Sequence, residues 1–207
     1  MQLRLNTDIR VTVVGLGYVG LTLATALARE GFVVHGIDSS DDQLEAIRQG
    51  KPRFFEPGLS EALSRHLERN LFVGSRHGSA IPDVCIIAVS TPVDTETGKP
   101  DLSHLRAASD ALAPHIGPDT LVIVRSTVPV GTTRNVVLPR LVAESNDGKV
   151  QLAFCPERTI QGQALRELQS LPQLIGAIDR TSAEMARDFF GRIARQVVVL
   201  ESPESAE

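Results

Sequence analysis

Residues 8–40, DIRVTVVGLGYVGLTLATALAREGFVVHGIDSS, restrict the fold more than any other stretch of the chain. Gly15, Gly17 and Gly20 stand in GxGxxG spacing between a β-branched run, IRVTVV, and a run rich in Ala and Leu. A second apolar run follows and closes on a lone acid, Asp38. A strand that enters a helix through a tight glycine turn and then returns as a second strand is the opening βαβ unit of a parallel sheet.

The rest of the chain continues the alternation. Apolar runs of strand length fall at 9–14, 32–37, 71–73, 83–89, 120–125, 151–154, 173–178 and 196–200, and helical patterns at 18–30, 41–49, 60–69, 102–115, 131–144 and 181–194. VCIIAV and LVIVRS carry continuous apolar runs, as strands covered on both faces should; periodicity alone does not separate them from buried helix, but their length of about six favours strands. The expected fold is α/β: a doubly wound, Rossmann-like parallel sheet with extra strands after the basic unit. There is no internal repeat, and STPVDTETGKPD at 90–101 is the longest irregular connection. Ser202 before Pro203 has the chemistry of an N-cap with proline at the first helical position. The expected division is therefore a domain over 1–200 and the start of a further helix over 201–207, with the chain cut where that helix begins.

In this setting the glycines have separate tasks. Gly15 permits the turn, Gly17 lets backbone approach a pyrophosphate, and Gly20 allows the helix to pack closely on the strand, with the ligand's charge meeting the helix N-terminus. Asp38 is placed to accept hydrogen bonds from an adenosine ribose. It would repel a 2′-phosphate, and neither Ser39 nor Ser40 offers a compensating cation, so NAD is favoured over NADP. Flavins use the same fingerprint, but no second flavin-associated segment accompanies it.

Composition narrows the remaining classes. The 207 residues carry a formal charge of −4, and the basic residues are scattered, so no nucleic-acid partner is expected. No apolar run is long enough to span a membrane, and MQLRLNTDIR lacks the features of a signal peptide, which makes a cytoplasmic location the expectation. Cys85 and Cys155 lie in strand-like runs without ligand spacing, and His35, His66, His77, His104 and His115 share no spacing that suggests a metal. Asp41, Asp42 and Glu45 suit a solvated helix start.

Ligands of open α/β sheets bind beyond the carboxyl ends of the strands. The loops expected there read AVSTPVD, RSTVPVGTT and FCPERTIQG, each placing hydroxyl or charged groups beside a proline. Together with VVGLGYVGLTLA, FFEPGL, KPDLSHL and CPERTIQGQALREL, taken in that order, they resemble the N-terminal half of the UDP-glucose/GDP-mannose dehydrogenases over nearly the whole chain. That family uses NAD to oxidise the C6 alcohol of a nucleotide sugar to a carboxylate in two hydride transfers. The PER form of the sixth loop is similar to the branch acting on UDP-N-acetylhexosamines, such as UDP-N-acetylmannosamine, where the UDP-glucose branch usually reads PEF.

The resemblance implies that Gly15, Gly17, Tyr18, Val19 and Gly20 cradle the pyrophosphate, that Asp38 holds the ribose, and that Thr91 and Thr127 line the nicotinamide side. It makes Glu157 the acid/base for hydrolysis of a thioester intermediate, with Thr127 positioning the water and Arg158 and Thr159 bordering the sugar. Gln161 departs from the second glutamate of the UDP-glucose branch. The resemblance implies that 201–207 is the start of the family's central helix, truncated here, and that the nucleophilic cysteine and catalytic lysine would lie beyond residue 207 on that helix and in a second, UDP-sugar-binding domain absent from this chain, so the implied activity belongs to a longer parent, a homodimer through its central helix. This chain alone is expected to be monomeric and inactive. A β-hydroxyacid dehydrogenase and a non-enzymatic NAD-sensing domain share the opening fingerprint and are the alternatives. Read without the resemblance, Glu157 is a surface carboxylate paired with the adjacent Arg158.

Overall fold

The computed structural model describes residues 9–78, 80–143 and 149–207. Eight strands form one sheet: β1 (Arg10–Val14), β2 (Val33–Ile37), β3 (Leu71–Gly74), β4 (Val84–Ile87), β5 (Leu121–Val124), β6 (Gln151–Phe154), β7 (Gln173–Ala177) and β8 (Val197–Leu200). Their spatial order is β3-β2-β1-β4-β5-β6-β7-β8. The order reverses between β1 and β4, and the crevice at such a reversal is where doubly wound sheets bind ligands.

Successive residues of the central strands point to opposite faces and enter different cores. Val84, Ile86, Leu121 and Ile123 pack under α1 (Tyr18–Arg29), α2 (Asp41–Arg48) and α3 (Leu59–His66). Their neighbours Cys85, Ile87, Val122 and Val124 pack under α4 (Ser103–Leu112) and α5 (Leu138–Ala143). All eight side chains are fully buried. Each buried aliphatic side chain of this size contributes about 1.5–3 kcal/mol, which explains why these strands read as unbroken apolar runs.

The sheet is not parallel throughout, contrary to expectation. β1 to β6 are parallel, but β7 runs antiparallel to β6, pairing Ala153 with Ala177 and Phe154 with Gly176, and β8 is parallel to β7. A parallel return needs a crossover that carries the chain back along the sheet. Here residues 155–163 are loop, and α6 (Ala164–Ser170) is only about 10 Å long at 1.5 Å per residue. The chain re-enters the sheet from the edge it left.

Helix α6 was absent from the sequence reading. It buries Leu165 and Leu168 against the α1 side of the sheet, but it is too short to show a repeating period. The pattern at 131–144 forms as a π turn over Thr133–Val137 leading into α5, and its last residue, 144, lies outside the described residues. So do residues 1–8, on which the reading of the N-terminus rests. α7 (Arg180–Phe190) covers β6 and β7, and α8 (Pro203–Ala206) is capped by Ser202 as its chemistry suggested. No described helix is long and apolar enough to cross a membrane.

Candidate functional site

The glycine turn lies at the carboxyl edge of β1. Gly15 has φ +91, and a Cβ there would sit 2.7 Å from the Ala88 carbonyl oxygen at the end of β4. Gly20 is even more constrained, since its Cβ would fall 1.7 Å from the Gly15 oxygen. The third glycine thus makes room first for the turn's own carbonyl, with Ala88 beyond β4 next at 3.4 Å. Gly17 differs: a Cβ there would meet nothing within 4 Å.

Gly17 is the N-cap of α1 and has no side chain to satisfy the first turn, which also contains no acid. Unpaired N–H groups at a helix start attract anions. Asp38, at the end of β2, holds the turn in place: its Oδ2 accepts from Leu16 N at 2.7 Å and its Oδ1 from Ser40 N at 2.9 Å. Gln43 Nε2 donates to the Leu16 carbonyl at 2.7 Å, gripping the same residue from the other side. Each Asp38 oxygen keeps a lone pair for a further donor. An open Gly17, uncapped N–H groups and a carboxylate with spare acceptors fit a dinucleotide. Tyr18 and Val19, half-buried, follow at the start of α1.

Two hydrogen bonds tie the loops after β4 and β5. Thr91 Oγ1 donates to the Thr127 carbonyl at 2.6 Å, and Ser126 Oγ donates to the Val89 carbonyl at 2.6 Å. Thr91 and Thr127 are therefore brought together, but the Thr91 hydroxyl proton is already engaged. Thr127 itself is exposed.

The most constrained charges lie one strand further along. Arg125 directly follows β5 and is 1% exposed. Its Nε and Nη2 donate to Glu157 Oε2 at 3.0 and 2.8 Å, and its Nη1 donates to Gln173 Oε1 at 3.2 Å. The guanidinium also lies 5.4 Å from the centre of the Phe190 ring. The N–H groups of Arg158 and Thr159 each donate to Glu157 Oε1 at 2.8 Å. Four donors thus occupy the four lone-pair positions of one carboxylate. Burial alone would raise the Glu157 carboxyl, but the Arg125 charge and the Thr159 N–H outweigh it, and the net direction is downward.

The partner of Glu157 is thus Arg125 and not the adjacent Arg158, which is exposed and contributes only its backbone N–H. Thr159 Oγ1 is buried without a hydrogen-bond partner, and Gln161 is exposed. Cys155 is fully buried, and burial pushes its thiol up to about 12 against the pull of Arg125. Such a thiol is inert as a nucleophile. Among the described residues no group of three or more His, Cys, Asp or Glu could hold a metal ion.

Sequence reasoning missed Arg125, Gln43 and Glu56. Arg125 had a local signal, a lone cation closing an otherwise apolar strand in LVIVRS. Glu56 lay inside the quoted FFEPGL, yet it is 6% exposed and its partners are far away in sequence.

Comparison with known proteins agrees with this geometry. Residues 9–194 match the model of the UDP-glucose/GDP-mannose dehydrogenase family, NAD binding domain. The UDP-N-acetyl-D-mannosamine dehydrogenase of Methanococcus vannielii is 34% identical over 96% of this chain and 45% of its own. A UDP-glucose dehydrogenase from Pyrobaculum islandicum superposes with a TM-score of 0.88 at 33% identity, over 99% of this chain and 48% of its own. The UDP-N-acetyl-mannosamine dehydrogenase Cap5O from Staphylococcus aureus does so with a TM-score of 0.86 at 28% identity, over 96% and 48%. The chain spans about half the length of these relatives. Its sheet with the order reversed between β1 and β4 and its open glycine turn suit a dinucleotide-binding fold, and the chain belongs to the UDP-glucose/GDP-mannose dehydrogenase family, of which it carries the NAD-binding domain.

Proposed function

We propose that this chain is the cofactor-binding part of a nucleotide-sugar 6-dehydrogenase that oxidises the C6 alcohol of a UDP-sugar, in the first instance a UDP-N-acetylhexosamine, to a carboxylate in two hydride transfers. The observation that carries the proposal is the placement of a charge-fixed carboxylate, Glu157, on the same sheet edge as the open glycine turn. NAD, when bound, supplies the hydride acceptor.

The chain's own residues then divide the work. The turn of Gly15, Gly17, Tyr18, Val19 and Gly20 receives the pyrophosphate, and Asp38 accepts from the ribose while holding Leu16. Thr91 and Thr127 border the nicotinamide side, with Thr127 free to orient a water. Arg158 and Thr159 border the sugar, Arg158 with an exposed side chain. Glu157 is held ionised by Arg125, so it acts as a proton acceptor and not as a resting donor. Because four donors saturate it, accepting a proton requires one of them to let go.

The domain boundary proposed with this reading is 1–200, followed from 201 by the start of a helix leading to a sugar-binding part. The relatives' length supports such a part, since this chain covers about half of it. The full-length parent would dimerise through that helix, the 207-residue chain would be monomeric, and the protein would work in the cytoplasm. The arginine of the PER loop, Arg158, where the UDP-glucose branch usually reads PEF, supports an N-acetylhexosamine over glucose.

The test is calorimetric and enzymatic. The 207-residue chain should bind NAD and prefer it to NADP, and should form no NADH with UDP-N-acetylmannosamine or UDP-glucose. The full-length gene product should form NADH with the first of these. NADH production by the isolated chain, or equal binding of the two cofactors, would refute the assignment.

A further inference from the structure

Glu56, between α2 and α3, is a buried acid with no ion pair among the described residues. Its carboxylate is satisfied instead by three neutral donors from distant parts of the chain. Oε2 accepts from the Tyr18 hydroxyl at 2.8 Å and from Gly162 N at 2.9 Å, and Oε1 accepts from Leu165 N at 3.2 Å in the first turn of α6. The Tyr18 hydroxyl also lies 3.1 Å from both the Ile160 carbonyl and Gly162 N. The Tyr18 ring is held by an edge contact with Phe54, their centres 5.0 Å apart.

Three features separate this cluster from ordinary packing. Tyr18 is the first residue of α1, immediately after the open Gly17, so its phenol rides on the turn that receives the phosphates. The far side of the cluster is the segment that begins with Glu157 and contains Arg158 and Thr159. Among the described residues, every hydrogen bond between residues 157–163 and the turn passes through the Tyr18 hydroxyl or sits beside it on Glu56. A buried carboxylate is costly unless its acceptors are filled, so the two loops and the acid hold one another in place.

We infer that Glu56 is a positioning residue that ties the loop after β6 to the phosphate-binding turn, so that NAD binding at the turn also orders residues 158–166. The inference rests on the cofactor reading above. A phenol that leaves this geometry loses both its acceptor and its shelter. Burial, followed by the Glu56 hydrogen bond and charge, raises Tyr18 to about 12. Tyr18 is the only tyrosine and the chain has no tryptophan, so phenolate absorbance reports the tie directly.

Hydrogen exchange should be measured on the 207-residue chain, on Glu56→Gln and on Tyr18→Phe, with and without NAD, and phenolate absorbance on the first two, which keep the chain's single tyrosine. In the original chain NAD should slow exchange in both residues 15–21 and residues 158–166. In Glu56→Gln the ligand-free 158–166 amides should exchange at least about tenfold faster, the phenol should ionise at lower pH, and NAD should slow 15–21 only. Tyr18→Phe, which keeps the ring packed on Phe54, gives the same split if Glu56→Gln fails to fold. Equal slowing of both segments by NAD in the variants would overturn the inference, as would an original chain in which NAD slows the turn alone. No slowing at the turn itself would overturn the cofactor reading and the inference with it.

Discussion

The glycine turn and the Arg125–Glu157 pair lie on the same edge of one sheet and handle charge in opposite ways. The turn contains no charged side chain, leaves the N–H groups of α1 without a cap and opens Gly17 to empty space. The pair buries a full positive and a full negative charge and fills their hydrogen-bonding positions internally. One region completes itself with a ligand. The other is complete beforehand, its carboxylate filled by donors of the chain itself. An unfilled site should therefore be sensitive in binding and tolerant in stability, and a filled one the reverse.

The largest effect should come from breaking the pair. Arg125→Met strands the Glu157 carboxylate in a buried position, and losing one member of such a pair costs about 3–5 kcal/mol. Chemical denaturation should show it, with Arg125→Lys intermediate because an ammonium cannot span Glu157 and Gln173 as a planar fork does. The pH dependence has a defined sign. The folded value of Glu157 lies below its unfolded value of about 4.3, so its contribution is complete above that value and disappears as pH falls through the lower folded value. The stability difference between the original chain and Glu157→Gln should shrink over that acid range, and a difference unchanged by pH would break the comparison.

A smaller effect should separate binding from stability at the turn. At a hundredfold excess over its dissociation constant, NAD should stabilise the chain by about 2.7 kcal/mol. Gly17→Ala should remove most of that gain while costing the ligand-free chain only the few tenths to about 1 kcal/mol of a poorer N-cap, since nothing lies within 4 Å of the new Cβ. Gly20→Ala is the internal contrast: its Cβ collides with the Gly15 carbonyl, at a cost of about 1–3 kcal/mol without any ligand. Thermal melts of both variants would show whether openness, and not glycine itself, defines the site. The smallest effect belongs to Asp38→Asn, which keeps an acceptor for Leu16 but loses the charge. Its preference for NAD over NADP should narrow by about tenfold, or 1.4 kcal/mol, in competitive titrations.

Much of this was legible in the chain itself. The central strands β4 and β5 were readable because their residues are buried on both faces, which leaves continuous apolar runs, and the partly exposed edge strands β3 and β8 were readable from their short runs of β-branched and aromatic residues. The turn was readable because each of its tasks needs a glycine at a set spacing, and Asp38 because β2 ends where the turn begins. Thr91, Thr127, Glu157, Arg158 and Thr159 were named from the loops that the resemblance brought forward, without the bonds that join them.

What sequence alone determined is local: period, spacing, capping at Ser202 and the glycine demands of one turn, all of which act over a few residues. Tertiary structure decided the rest. The reversal of β7 depends on how far a short α6 can carry the chain, and the first turn of α6 is held by Glu56, which sits in another loop more than a hundred residues earlier. The partner of Glu157 is Arg125, across neighbouring strands, and not its neighbour Arg158. Charges in a low-dielectric interior are governed by which groups approach within a few ångströms, and that distance is set by folding, not by separation along the chain.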